Sequence, residues 1–479
     1  MIKSLRPWQI YAVDAIITDF MHDKRHFFCL AATATGKTIM SAEAAKQLLN
    51  SGMIDKVLCF CPSNEIKAGI KRSFKNYLGR SMDGSLDAVG DVHTYQGMLT
   101  IADDFWSLMD NQKVLVIFDE IHHCAGTNFS KHNSWGSYIL KMIAQKSRFT
   151  LCLSGTPWRS DKLPITTALY DANNELTCDY SYGLSEAIND GICRKPTIVL
   201  IDNKNVRVQL NDNNEKTFTS ISQALRESPL VYSQILEHLL AQRFILKQSV
   251  LKLNAIRQIN PTAGGIVVAS SVDHAEKLAK LLMDEFHQSV VVVSYLHPNA
   301  TDTIQAFREG DVKWIVSVGM ISEGTDIPRC QVLCHLSNIR TEMHFRQILG
   351  RILRINDAEN QEAWLYTFSE PSLVDYSKGL QIDVPEMEIN FENMPTASTP
   401  ESETPMTETT IPNGTHPSAD RNLEFSFGDT TDQSKNFDPE EFIGSMPEQE
   451  LKAFDFELNE AHFIERLIGL FDDDNLVHG

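Results

Sequence analysis

Phe27-Phe28-Cys29-Leu30-Ala31-Ala32-Thr33-Ala34-Thr35-Gly36-Lys37-Thr38 is an apolar run that leads straight into a small, hydroxyl-rich turn ending in Gly-Lys-Thr. From Ile39 to Leu49 the apolar residues take helical spacing, so the turn joins a strand to a helix. Such a turn aims backbone N–H groups inward at a helix N-terminus, where unpaired amides and the helix dipole favour an anion. The pattern implies a cradle for nucleotide phosphates built from Thr33, Ala34, Thr35, Gly36 and Lys37, with Lys37 supplying a point charge and the Thr38 hydroxyl available to Mg²⁺. The usual glycine pattern is broken at Ala31 and Ala34.

Outward from this stretch, short apolar runs recur at Val57 to Cys61, Val114 to Phe118 and Phe149 to Leu153, separated by longer segments with helical spacing. That alternation predicts a parallel sheet wrapped by helices. The run Val114 to Phe118 ends in Asp119-Glu120-Ile121-His122, which would set two carboxylates at the C-terminal sheet edge beside the phosphate turn. Asp119 can hold Mg²⁺ through water while Glu120 orients or deprotonates an attacking water. His122, His123 and Cys124 are neighbours in sequence and do not converge on one ion easily.

A second series begins at Gly265, with Ile266 to Ala269, Val290 to Val293, Trp314 to Val318, Val332 to Cys334 and Trp364 to Tyr366, and predicts a second α/β unit. Residues 217 to 258 read as helices joining the two. After about Asn390 the chain turns to Pro, Thr, Ser and Glu, a composition that buries too little apolar surface to offset chain entropy and reads as a disordered linker. Leu451, Phe454, Leu458, Ala461, Ile464, Ile468 and Phe471 then follow steps of three and four, which predicts an amphipathic helix over 451–473. The expected division is therefore 1–170, a connector 171–260, 261–370, an acidic linker 371–450 and the terminal helix.

The composition suits this plan. Of 479 residues 42% are hydrophobic and 22% charged, and no apolar run reaches the ~18 to 20 residues of a membrane helix. The N-terminus carries no secretory pattern and the nine cysteines form no CxxC pair, so buried thiols in a reducing cytoplasm are expected. The net charge of −20 argues against a nucleic-acid partner only on average. Pro371 to Gly479 holds 24 Asp and Glu against 5 Lys and Arg, whereas the rest holds 39 against 38, so a near-neutral body can still carry a basic groove.

In order along residues 3 to 368 these motifs resemble the superfamily 2 helicases and translocases. Leu5-Arg6-Pro7-Trp8-Gln9 looks like the adenine-reading Q-type motif, which implicates Arg6 and Gln9. Cys61-Pro62-Ser63 and Thr94-Tyr95-Gln96 resemble strand-contacting motifs. Asp119-Glu120-Ile121-His122 is similar to a DExH box, and Leu153-Ser154-Gly155-Thr156-Pro157 to the motif that links hydrolysis to movement. Ser270-Ser271, Gly319 to Pro328 and Gln347 to Arg354 resemble the three motifs of a second motor domain. The nearest resemblance is to phage- and mobile-element-borne helicases related to type I and III restriction motor subunits.

The resemblance implies two RecA-like domains in tandem that close on ATP and Mg²⁺. Lys37, Asp119, Glu120, Gln347, Arg351 and Arg354 would serve catalysis, the two arginines from one face of a helix if the segment is helical. Gly324 and Asp326 would lie near the ribose, with coupling through His122, Ser154 and Thr156. Pro62, Ser63, Thr94, Gln96, Ser270 and Thr325 would hold a nucleic-acid backbone, and the helical spacing of Lys67, Lys71, Arg72 and Lys75 offers a basic track. DNA is favoured over RNA by the DExH box with Arg6 to Gln9. An RNA helicase, or a motor subunit of a larger complex, is the alternative. The terminal helix is expected to dock in a partner's groove, with fold-back onto its own motor, or competition of its acidic stretch with DNA, as the other readings.

Overall fold

The computed structural model describes residues 4–85, 87–124, 139, 143, 145–156, 165, 167–170, 176–211, 214–294, 300–318, 327–383 and 456–468. The apolar runs become strands buried on both faces, as parallel strands covered by helices must be. In the first half they are β1 (His26–Ala31), β2 (Lys56–Cys61), β3 (Gly90–Thr94), β4 (Val114–Phe118) and β5 (Phe149–Ser154). A small antiparallel pair, β6 (Leu169–Tyr170) and β7 (Leu176–Thr177), precedes β8 (Tyr180–Tyr182). The six-stranded sheet runs β3-β2-β4-β5-β1-β8 with all its strands parallel.

This order sets β1, β5 and β4 side by side, so the chain leaving each C-terminal end arrives at one place. The helix Lys37–Asn50 follows β1, and Asn64–Leu78 follows β2. An N-terminal helix, Pro7–Met21, buries Ala12, Ile16 and Phe20 beneath the sheet, with Phe20 stacked on Phe149 at 4.3 Å.

The second half begins earlier than the sequence pattern suggests. Strand β9 (Pro196–Asn203) lies inside the stretch read as connector, yet it pairs in parallel with the last strand of the second series. It is followed by the hairpin β10 (Val206–Asn211) and β11 (Asn214–Phe218), then by helices that include Leu239–Ile259. The series continues with β12 (Gly264–Ala269), β13 (Val290–Val293), β14 (Trp314–Ser317), β15 (Cys330–Leu336) and β16 (Ala363–Phe368). Pro371–Asp383, expected to be linker, is a helix whose Leu373 and Leu380 join the core.

The terminal helix is not observed. Phe456–Leu458 forms β17 and Phe463–Ile468 forms β18, with a short 3-10 turn between them. Strand β17 pairs with β10, and β18 closes the second sheet antiparallel to β9, giving the order β13-β14-β12-β15-β16-β9-β18. The physical reason is the open edge of β9, whose backbone groups need partners and whose apolar residues need cover. Arg466 pairs with the buried Asp202 at 2.8 Å, Asn203 Nδ2 donates to Asn459 O at 2.9 Å, and Phe463 stacks on Phe244. The segment therefore lies on its own chain as strands, not as a helix offered to a partner. Leu451, Phe454 and Phe471, and the linker 384–455, fall outside the described residues. Among the described residues no helix is long and apolar enough to cross a membrane.

Candidate nucleotide site

The turn after β1 carries two residues in the left-handed region, Ala34 at φ +70° and Gly36 at φ +98°. Its carbonyls are held from below by the N-terminal helix. Arg6 Nη1 donates to Thr35 O at 2.8 Å, and Gln9 Nε2 donates to Gly36 O at 3.0 Å, while Gln9 Oε1 accepts from Arg6 N. A Cβ on Gly36 would lie 2.8 Å from Gln9 Nε2, so a side chain at 36 would have to displace the Gln9 amide. Trp8 beside them stacks on Tyr182 of β8 at 4.8 Å.

Lys37 begins the helix and is only 8% exposed. Its ammonium donates to Ala31 O at 3.0 Å and pairs with Glu120 Oε1 at 3.1 Å. Glu120 reaches it because the chain turns sharply after β4, with Glu120 itself at φ +53°. The preceding residue is tied on both sides: Asp119 N donates to Phe60 O and Tyr95 Oη donates to Asp119 O, each at 2.8 Å.

The other carboxylate oxygen of Glu120 faces the end of β5. Glu120 Oε2 accepts from Gly155 N at 2.9 Å, with His122 Nδ1 at 3.4 Å. His122 Nδ1 is also 2.9 Å from Ser154 Oγ, whose hydroxyl donates to Thr156 O at 2.6 Å. With that proton committed, His122 Nδ1 carries the hydrogen and is the donor to Ser154. Lys37, Glu120, His122, Ser154 and Thr156 thus form one connected chain of polar contacts.

Burial raises the Asp119 carboxyl well above the usual range and the neighbouring Glu120 charge adds to this, with Lys37 acting the other way. Burial would raise Glu120 too, but the Lys37 and His122 charges and the Gly155 N–H hold it below its ordinary value. Glu120 is the anion of the pair. Asp119 is a half-buried acid whose ionised form asks for a cation, and Thr38 lies on the first turn of the adjacent helix, a set of oxygens suited to Mg²⁺. The space above is kept open at Gly155, where a Cβ would sit 3.2 Å from Lys37 Nζ and 3.5 Å from both Glu120 Oε2 and Thr33 Oγ1. These residues fit a phosphate chain with a divalent cation.

The second sheet contributes the segment around Gln347. The helix Glu342–Leu349 is capped by Thr341, whose Oγ1 accepts from His344 N, and it stops before the arginines. Arg351 N donates to Ile348 O and Ile352 N to Leu349 O in a closing turn, and Arg354 forms an isolated antiparallel bridge with Cys193. Arg351 and Arg354 therefore do not share a helical face. The turn is tight because it meets the phosphate loop: a Cβ on Gly350 would lie 2.8 Å from Thr33 Cβ. Cys193, the bridge partner of Arg354, has its Sγ 3.8 Å from Thr33 O, which brings this part of the turn up to the loop. A cleft of about 310 Å³ opens here, lined by Thr33, Gly155, Tyr182, Glu186, Arg346 and Leu349.

Pro62 and Ser63 follow β2, Thr94 ends β3 with Gln96 in the short helix Tyr95–Met98 just after it, and Ser270 follows β12, so all five lie at or just past C-terminal strand ends. Ser63 and Thr94 also cap helices, accepting from Ile66 N and Gly97 N, and Ser270 Oγ is 2.7 Å from His274 Nδ1. Lys71 of the basic stripe is paired with Asp91 at 2.9 Å. Gly324, Thr325 and Asp326 lie outside the described residues. Sequence reasoning did not single out Tyr95, Gly155, Gly350, Cys193 or Arg194. Tyr95, Gly155 and Gly350 stand within the quoted motifs, whereas nothing in Cys193-Arg194-Lys195 marks it.

Two family models match the chain: type III restriction enzyme, res subunit, over residues 2–159, and helicase conserved C-terminal domain over residues 247–356. An uncharacterized protein of Mycobacterium tuberculosis is 28% identical over 396 residues, covering 79% of this chain and 63% of the relative, so the chain spans less than two thirds of that protein. A DNA 3'-5' translocase, XPB2, of Sulfurisphaera tokodaii is 23% identical over 74% of this chain and 80% of its own. Among solved structures, a fragment assigned as the HsdR subunit of a type I restriction enzyme from Vibrio vulnificus aligns with a TM-score of 0.54 at 16% identity, over 78% of this chain and 65% of the fragment. That likeness concerns the fold. With its phosphate loop and DExH residues joined on one sheet edge, and with both family models matched in their proper order, the chain carries the two domains characteristic of superfamily 2 helicases.

Proposed function

We propose that this protein is a nucleic-acid-stimulated ATPase that moves along or remodels DNA, as a helicase or double-strand translocase, by closing two RecA-like units on ATP. The observation that carries the reading is the Lys37–Glu120–Gly155 junction with Gly350 lying against Thr33, which brings the arginine-bearing turn to the phosphate loop. Phosphate oxygens compete with Glu120 for the Lys37 ammonium, and the carboxylate so released orients and deprotonates the attacking water. Arg351 and Arg354 offset the charge that develops on the transferred group, with Gln347 beside them. Thr38 and Asp119 would hold Mg²⁺, which would supply positive charge against the phosphate oxygens. His122 and Ser154 pass the state of Glu120 to Thr156.

Pro62, Ser63, Thr94, Gln96, Ser270 and Thr325 hold the backbone of the strand, which gives affinity without reading sequence. Arg6 and Gln9 link the adenine side to the loop carbonyls they already touch, and Gly324 and Asp326 serve the ribose. The preference for DNA is supported by the named activity of the archaeal translocase relative. ATPase rates with single-stranded, duplex and forked DNA and with RNA test the reading. Stimulation by DNA is expected. Stimulation by RNA alone would make the protein an RNA helicase, and no stimulated hydrolysis with any of the four would overturn the proposal.

A further inference from the structure

Arg194 is 1% exposed and lies outside every motif used above. Its guanidinium spreads over four acceptors from three segments of the second unit. Nη1 donates to Cys330 O at 2.7 Å and Ile352 O at 3.2 Å, Nη2 to Pro328 O at 2.9 Å, and Nε to Gln361 Oε1 at 3.0 Å. Its backbone N donates to Leu353 O at 2.7 Å, next to the Cys193–Arg354 bridge. Burial lowers its pKa to about 10, which leaves it a cation at neutral pH.

The geometry points to Arg194 as a positioning residue that fixes the turn carrying Arg351 and Arg354 against the phosphate loop. The helix before the turn ends at Leu349, so helical hydrogen bonding does not hold residues 352 and 353. Arg194 takes both of their carbonyls, Ile352 O through its guanidinium and Leu353 O through its backbone N–H. The same side chain takes Pro328 O, where the chain emerges from the Gly319 to Pro328 motif, and so sets one motif relative to the other. On its other side Cys193 Sγ is 3.8 Å from Thr33 O, which brings the clamp up to the loop itself. Only a planar fork can address acceptors in this many directions, and an ammonium cannot. The assignment rests on the ATPase reading above, since it gives Arg194 a role through the two arginines.

The test measures ATP turnover per nucleotide-binding site, with bound nucleotide titrated so that a partly folded sample still gives a value. Arg194→Lys and Arg194→Gln are expected to lower DNA-stimulated kcat by about 10- to 100-fold, the scale of a misplacement near 1 Å, while KM for ATP changes less than about threefold. Added to a variant that already lacks both arginines, Arg351→Ala with Arg354→Ala, either Arg194 substitution should cause no further loss, because it acts through those two groups. If Arg194→Lys and Arg194→Gln lower only the melting temperature and keep wild-type kcat per site, or if their losses multiply with that of the variant lacking both arginines, the positioning role is overturned. If wild type hydrolyses no ATP, or Arg351→Ala turns over normally, the underlying reading fails instead.

Discussion

Lys37 and Glu120 share one ion pair at 3.1 Å, but their losses should differ. Lys37→Ala removes a buried cation aimed at phosphate, so nucleotide affinity should fall by about tenfold or more, read by titration with a fluorescent ATP analogue. Glu120→Gln keeps the shape and the Gly155 contact but loses the base, so binding should persist while kcat drops at least about 100-fold. Full ATPase activity in Glu120→Gln would remove the DExH assignment. Ala34 gives a second residue-scale prediction. At φ +70° an L-residue carries a cost of about 1–2 kcal/mol, and glycine relieves it at an entropic cost of about 0.5–1 kcal/mol. Ala34→Gly should therefore raise the melting temperature slightly, by about 1–3 °C. A drop would mean that the packing of the Ala34 methyl against the core outweighs the backbone.

At the scale of elements, the strand β18 is the part that sequence periodicity misassigned. Steps of three and four from Leu451 to Phe471 fit a helix, yet Phe456 and Leu458 share a strand face and Asn459 caps a 3-10 turn that breaks the run. Short apolar runs are ambiguous between the two periods, and here the unfilled edge of β9 decides. Strand β9 carries the apolar run Ile198-Val199-Leu200-Ile201, which the reading of 171–260 as connector passed over, and nothing local says which sheet such a strand joins when its neighbour β16 lies so far along the chain. The phosphate turn and β4 were legible because a buried strand ending in a glycine-lysine turn or a carboxylate pair is a local signature. Removing residues 454–479 takes Leu458 and Phe463 out of the core and should lower stability by several kcal/mol, at about 1.5–3 kcal/mol per large apolar side chain. Arg466→Ala is the milder test. It leaves Asp202 buried with the backbone N–H groups of Asn203 and Ile221 as its remaining donors, and should cost about 1–3 kcal/mol in denaturant unfolding. Unchanged stability in both would mean that the edge contact does not hold in solution.

For the whole molecule, the second unit is expected to weaken in acid. Burial depresses His335 to about 3 and His274 to about 4, so the unfolded chain binds protons near pH 6.5 that the folded chain refuses. Their contribution is complete above about pH 6.5 and is lost as pH falls toward those values, at about 1.4 kcal/mol per pH unit for each group. His274→Asn should flatten the slope of stability against pH below 6.5 by one proton, and an unaltered slope would remove His274 from this account. The approach of the two halves offers the sharpest test. Gly350 admits no Cβ beside Thr33, where the distance would be 2.8 Å to both Cβ and Cγ2. A methyl group there must push the arginine-bearing turn off the phosphate loop or displace Thr33 within it. Gly350→Ala is therefore expected to resemble Arg351→Ala, with stimulated hydrolysis reduced by about 10- to 1,000-fold and nucleotide affinity changed far less, because charge in the transition state is what the turn serves. Shortening the opposing side chain with Thr33→Gly should restore part of the turnover in the Gly350→Ala background, since it removes both atoms of the clash. Wild-type kcat in Gly350→Ala alone would show that hydrolysis does not need the halves this close, and Arg351 would then have to act from another arrangement of the two sheets.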